Sequence, residues 1–212
     1  MPISRRRLVA PVAVSWLLCC LVPVRPGHAQ EKAPPAAKSE AEIRERFNAL
    51  VKSPTKENYL QVHKLLVASD KYDPYSSDLG DAERAAKNER PDEAQAKLRQ
   101  AGINVLLSPR AHTLAARLAL AAGDRQTAER ELAAARSCIA GILASGDGSA
   151  EKPYPVSRVE DEYDVLRSLG KHSSKQALKT DKGKSYDVLF CRDGSEIYFD
   201  VSDVFGSLAR RH

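Results

Sequence analysis

Residues 125–144, with the sequence RQTAERELAAARSCIAGILA, carry the clearest helical pattern in the chain. Ala128, Leu132, Ala135, Ile139 and Leu143 recur at intervals of three or four residues, so they lie on one face of a helix. An apolar face of this kind packs against other helices. The stretch therefore predicts the last and longest helix of an α-helical stack.

The first half of this helix repeats a pattern that occurs 34 residues earlier. Thirty-four is the length of a tetratricopeptide repeat, whose second helix needs a small residue where it crosses the first. Gly123-Asp124 stands where the turn between two such helices is expected. Two repeats are fewer than a free-standing solenoid needs, so an ordinary stack of helical hairpins stays the alternative. The corresponding residues are Ala94, Leu98 and Ala101 with Ala128, Leu132 and Ala135.

The pattern changes from helical to strand-like after Ser145. The sequence predicts an α+β fold, in which a tetratricopeptide-like antiparallel helical stack (39–145) packs against a small, mostly antiparallel C-terminal sheet (within 146–212). Because a hairpin alone is only marginally stable, both parts are expected to form a single compact domain over 39–212. The predicted C-terminal elements are strands over 154–159, 186–191 and 196–201, helices over 160–169 and from Ser202, and a further candidate strand at Gln176–Leu178.

The order and spacing of several short motifs resemble an uncharacterised family of exported bacterial proteins, a domain of unknown function of roughly this length. The resemblance covers about residues 40–208. It implies secretion and a tetratricopeptide-like fold with a β-containing end, and it carries over no catalytic residue. The motifs are Tyr72-Asp-Pro-Tyr75, Pro109-Arg-Ala-His112, Gly123-Asp124, Ser145-Gly-Asp-Gly148, Tyr154 with Val156, Asp161-Glu-Tyr163, Leu169-Gly170, Gln176 with Leu178, and Tyr198-Phe-Asp-Val-Ser202.

The N-terminus has the pattern of a signal peptide over residues 1–29. Three arginines at positions 5–7 precede an apolar run over 8–24, which two prolines interrupt and which is too short for a good membrane span. Small residues at Gly27 and Ala29 predict cleavage between Ala29 and Gln30. We therefore expect export to the periplasm or the extracellular space, with no membrane span after processing. Residues 30–38, rich in Pro, Ala and Lys, are a flexible linker.

The charge of the chain does not indicate a nucleic-acid partner once the leader is removed. The full sequence has a formal net charge of +5. Four arginines lie in the leader, and without them the excess of cationic over acidic residues falls from five to one. With a near-neutral mature chain, the main support for a nucleic-acid partner is lost. The four are Arg5, Arg6, Arg7 and Arg25.

Half of the cysteines also leave with the leader. Cys19 and Cys20 lie in its apolar run, whereas Cys138 and Cys191 belong to the mature chain. An oxidising compartment permits one disulfide between Cys138 and Cys191. Two buried thiols acting as small apolar residues are the alternative.

Two polar features are candidates for a ligand site. The Ser145–Ser149 loop contains Asp147 between two glycines, and Glu162 and Tyr163 lie in the acidic start of the helix after it. Asp147, Glu162 and Tyr163 would contact a ligand if these segments met in a pocket. The structural alternative is that Asp147 holds a turn and that the acidic residues favour the positive end of the helix dipole.

No catalytic motif stands beside these features. The histidines of the mature chain, His63, His112, His172 and His212, do not form the i, i+4 pair of a helical metal site, and the Gly-x-Ser-x-Gly nucleophile motif does not occur. We predict no catalytic residue, cofactor or metal. The leading hypothesis is an exported, non-enzymatic domain that binds a protein or peptide of the cell envelope along its helical groove. The alternative is an envelope hydrolase or small-ligand-binding protein.

Overall fold

The computed structural model describes residues 40–209. The predicted signal peptide over 1–29, its cleavage site between Ala29 and Gln30, and the linker over 30–38 lie outside the described residues.

The N-terminal part is a stack of six α-helices, in agreement with the predicted helical half. Two of the helices begin with a proline in the first turn, where its missing N–H costs nothing. The longest helix is capped by Asp124, the residue before its first one, whose carboxylate accepts a hydrogen bond from the Thr127 N–H at 2.9 Å. The helices are α1 Glu40–Lys52, α2 Lys56–Val67, α3 Asp78–Lys87, α4 Pro91–Ala101, α5 Pro109–Ala121 and α6 Arg125–Ser145, with a 3-10 turn at Gly102–Val105.

The 34-residue period corresponds to two helical hairpins, α3–α4 and α5–α6. Their turns match, because Glu89 and Gly123, 34 residues apart, both have positive φ values of 57° and 79°. The backbone N–H of the next residue donates a hydrogen bond to a carbonyl of the first helix in each hairpin, Arg90 to Ala85 and Asp124 to Ala119, both at 2.9 Å. The small residues at the two crossings match as well, since Ala82, Ala85 and Ala94 are buried at positions equivalent to those of Ala116, Ala119 and Ala128.

The second hairpin differs from the first in the length of its second helix. Helix α4 ends before Gly102, which has a φ of 56°. The residue equivalent to Gly102 in the second hairpin, 34 positions later, is Arg136. Helix α6 continues past Arg136 and is 21 residues long. A glycine at positive φ ends a helix, whereas arginine is a good helix former. Besides α5, helix α6 packs against α1, α2, α7 and strand β1.

The C-terminal part contains a four-stranded sheet in the order β1-β4-β3-β2, with two further helices. The strands pair antiparallel except for β1, which is parallel to β4, so the prediction of a mostly antiparallel sheet is confirmed. The predicted strand over 154–159 is wrong in length, because the chain leaves the sheet after Pro155 and turns towards α7. The elements are β1 Tyr154–Pro155, α7 Glu160–Ser168, β2 Ser173–Asp181, β3 Lys184–Cys191, β4 Glu196–Asp200 and α8 Ser202–Ala209.

The helical stack and the sheet share one hydrophobic core. Two tyrosine hydroxyls of the helical part donate to carbonyls of the segment after β1, Tyr59 to Pro155 and Tyr72 to Ser157, both at 2.8 Å. Both tyrosines are buried, so these bonds fix the path of the chain into α7. Among the helices of residues 40–209, none has the length and the apolar composition that a membrane span requires.

Candidate functional site

An open groove runs between α5, α6 and α7 and is the candidate site. It encloses about 630 Å³, a volume typical of ligand-binding clefts. Glu83 of α3 lies at one end, and a second cavity continues from there along α3 and α5. The first helices of both hairpins therefore line the groove, with α6 and α7.

The floor of the groove is apolar. It is formed by Leu114 of α5 and by the α6 stripe from Leu132 to Leu143. The sequence places this stripe against other helices, and its alanines Ala128 and Ala135 are indeed buried. Leu132 is nevertheless 36% exposed, and Ile139 and Leu143 are only partly covered. Part of the predicted core face of α6 is thus an accessible apolar surface.

Four arginines surround this floor. Arg110 and Arg117 lie one above the other on α5, Arg136 lies on α6 beside the apolar stripe, and Arg167 lies on α7. Asp164 binds two of the four, with one oxygen 2.7 Å from the Arg167 guanidinium and the other 3.6 Å from Arg110. Across residues 40–209, neither Arg117 nor Arg136 has a hydrogen bond or ion pair with another side chain.

A cluster of buried carboxyl groups lies at the start of α7. Asp161, Glu162 and Asp164 are all buried, although acidic side chains are rarely found so deep. Ser108 donates a hydrogen bond to Asp161 at 2.8 Å, and the nearby guanidinium of buried Arg158 faces the same carboxyl. Burial nevertheless dominates and raises the pKa of Asp161 to about 7.

Glu162 has the most perturbed environment of the cluster. Its side chain is completely covered, and neither of its oxygens has a hydrogen-bond donor among the described residues. Burial, reinforced by the facing carboxyl of Asp187, raises the pKa of Glu162 to about 9. Glu162 is therefore protonated at neutral pH, and in that form its carboxyl O–H donates a hydrogen bond to the Asp187 carboxylate. The pKa of Asp187 is raised as well, chiefly by burial.

A chain of hydrogen bonds connects this buried pair to the surface. The Gln176 amide of β2 donates to Asp187, and its oxygen accepts from the Tyr163 hydroxyl at 2.7 Å. Tyr163 is 39% exposed. Two of the three predicted ligand residues, Glu162 and Tyr163, thus belong to one network, but only Tyr163 is accessible to a ligand.

The third predicted residue, Asp147, lies elsewhere. Ser149 lowers the pKa of Asp147, first through its side-chain hydroxyl and then through its backbone N–H. The N–H donates a hydrogen bond to the Asp147 carboxylate at 2.9 Å and holds the turn. It lines a separate cavity with Lys56, Lys184 and Asp200, and that cavity includes neither Glu162 nor Tyr163. The structure does not bring Asp147 together with the other two. Asp147 holds the turn after α6, which is the alternative role that the sequence allows for it.

Cys138 and Cys191 are both free and buried, so the disulfide is not formed in the structure. Cys138 lies in α6 with its sulfur 3.9 Å from the Leu106 carbonyl, and Cys191 ends β3. Burial raises the pKa of the Cys138 thiol well above its usual value, which keeps it in the unreactive thiol form. Within residues 40–209, no group of three or more His, Cys, Asp or Glu side chains could hold a metal ion.

The arginines of the groove were not identified from the sequence. They are separated by up to 57 positions along the chain and belong to three helices, and each alone resembles a residue of a solvated helix face. The sequence did contain one signal for a basic border beside an apolar face. Arg136 lies directly next to the Leu132–Leu143 stripe of α6. Arg110 and Arg117, seven positions apart, lie on the same face of α5.

No family model, no curated protein and no solved structure shows significant similarity to this chain. The groove itself is therefore the basis for the functional proposal.

Proposed function

We propose that this chain is an exported, non-enzymatic domain that binds a segment of a protein partner in the groove between α5, α6 and α7. One observation carries the proposal: the groove combines an accessible apolar floor with two arginines, Arg117 and Arg136, that have no side-chain partner among residues 40–209. Apolar area supplies affinity, and unpaired charges at its border supply specificity and a fast association rate. The signal-peptide pattern of residues 1–29 supports a partner in the cell envelope.

Export is tested by the N-terminal sequence of the protein isolated from its source cells. We expect it to begin at Gln30, because a signal peptidase selects the small residues at Gly27 and Ala29. The measurement is Edman degradation or mass spectrometry of the terminal peptide. A protein that begins at Met1 would contradict export by this route.

Binding in the groove is tested by exchanging one exposed leucine for a charged residue. Leu132→Glu places a carboxylate on the apolar floor, so capture of the envelope partner is expected to fall at least tenfold. The measurement is quantitative mass spectrometry of proteins that co-purify with the tagged chain.

Leu178→Glu is the matched control, since Leu178 is 54% exposed on strand β2, away from the groove. We expect it to leave capture unchanged. Both variants should retain the wild-type melting temperature within a few degrees, because each replaces an exposed side chain. If Leu132→Glu and Leu178→Glu captured the same proteins in the same amounts, the groove would not be the binding site.

A further inference from the structure

The charges of the groove indicate what kind of segment it binds. Its four arginines face only two acidic side chains of the lining, Glu83 and Asp164. Both acids contact Arg110, and Asp164 also holds Arg167, so the positive charge of Arg117 and Arg136 is not balanced within the described residues. An empty groove of this kind has a net positive potential over an apolar floor.

We propose that the occupant is an acidic amphipathic segment of a partner protein. This inference rests on the proposed function. The apolar side chains of the segment cover the floor from Leu132 to Leu143, which is about 16 Å along α6. Its Asp and Glu side chains pair with Arg117 and Arg136, because a guanidinium binds a carboxylate through two parallel hydrogen bonds.

The two acidic residues of the lining favour a peptide over a polyanion. Nucleic acid carries a phosphate at every nucleotide, so some of its charges would lie against Glu83 and Asp164. A peptide can place its carboxylates only where the arginines are and leave apolar or neutral side chains elsewhere. The end of this chain, Arg210-Arg211-His212, has the same sign of charge as the groove and is not a complementary occupant.

The specific variant is the double charge reversal Arg117→Glu/Arg136→Glu. We expect it to weaken binding of the occupant at least tenfold, because two attractive pairs become repulsive. Added salt should weaken binding to the wild type, since the pairs lie at an open groove. Arg99→Glu is the matched control, because Arg99 is an exposed arginine that lines a different cavity. It is expected to have no effect.

The probe is a display library of random 12-residue peptides, selected on the purified full chain and counter-selected on Leu132→Glu. The inference predicts that peptides whose binding needs Leu132 are rich in Asp and Glu and bind Arg117→Glu/Arg136→Glu weakly. In a second experiment, binding of the wild type and of Arg117→Glu/Arg136→Glu to anionic vesicles of phosphatidylcholine with phosphatidylglycerol tests a lipid headgroup as the occupant.

The outcomes separate this inference from the proposed function. Peptides whose binding needs Leu132 are called groove-dependent peptides. If these peptides were not enriched in Asp and Glu, or if they bound the double variant as tightly as wild type, the inference of an acidic occupant would be overturned. The proposal of a peptide-binding groove would remain. If no selected peptide depended on Leu132, both proposals would fail. Binding to the anionic vesicles that needs Arg117 and Arg136, without groove-dependent peptides, would replace the protein segment by a lipid headgroup.

Discussion

Glu162→Gln is expected to stabilise the protein at neutral and alkaline pH and to flatten the decline of its stability between about pH 5 and pH 9. Glu162 is completely buried and faces the carboxyl of Asp187. Its pKa of about 9 in the fold lies well above the ordinary glutamate value of 4.5, which applies to the unfolded chain. The folded state therefore keeps a proton that the unfolded state releases in this range.

The direction of the pH dependence follows from that difference. Where the folded state binds more protons, the free energy of unfolding decreases as pH rises, from the unfolded pKa up to the folded one. Asp161, with a raised pKa of about 7, adds a decrease of the same sign below neutral pH. Glutamine has the shape of the protonated carboxyl and an N–H to donate to Asp187, so Glu162→Gln removes the larger contribution. At pH 8 we expect a gain on the order of 3 kcal/mol.

Urea denaturation at several pH values measures this effect. Glu129→Gln is the control, since Glu129 is an exposed glutamate of α6 and its neutralisation should leave the pH dependence of wild type intact. A Glu162→Gln variant that was less stable than wild type at pH 8, or that kept the wild-type slope, would contradict the prediction based on the raised pKa of Glu162.

Gly141→Ala is expected to destabilise the protein by about 2 kcal/mol, although alanine is the better helix former. Gly141 lies about one turn before the C-terminal end of α6, where side chains of α2 and α1 pack against it. A Cβ atom there would come within 2.9 Å of the Tyr59 Cβ and within 3.1 Å of a Leu50 methyl group. Tyr59 is buried and its hydroxyl is bound to the Pro155 carbonyl, so it cannot withdraw without breaking that bond.

Gly80→Ala provides the control with the opposite sign. Gly80 lies in α3, and a Cβ atom there would meet only the end of the flexible Arg84 side chain, at 3.7 Å. The higher helix propensity of alanine should then raise stability by about 0.5–1 kcal/mol. Thermal unfolding of both variants measures the contrast. Two variants that shifted the melting temperature in the same direction would contradict the close crossing at Gly141.

The helical hairpins and the central strands could be predicted from the sequence because their signals are local. The 34-residue period reflects the buried alanines of two equivalent crossings, and the Asp193-Gly194 turn between two runs rich in aromatic and β-branched residues marks β3 and β4. Strand β2 could only be predicted in part. Most of its side chains are exposed, so it lacks alternation, and its turn to β3 has Lys182 at a φ of 48° instead of the usual Asn or Asp.

The site was harder to predict, because it depends on which residues of distant segments meet. Asp147 and Glu162 stand out in the sequence, but one holds a turn and the other is covered by the fold. The arginines of α5, α6 and α7 become a group only once the hairpin and α7 are packed together. The protonation of Glu162 is determined by its burial and by the facing carboxyl of Asp187 on strand β3, which is 25 positions away.

The most direct test of the central claim, that a partner segment lies in the groove, is photo-cross-linking in the source cells. A photoreactive benzoylphenylalanine replaces Leu132 in the groove in one strain and Leu178 on β2 in another. We predict a single prominent adduct from position 132, with the cross-linked peptide of the partner rich in Asp and Glu, and none from position 178. Equal adducts from both positions, or no adduct from position 132, would contradict the claim.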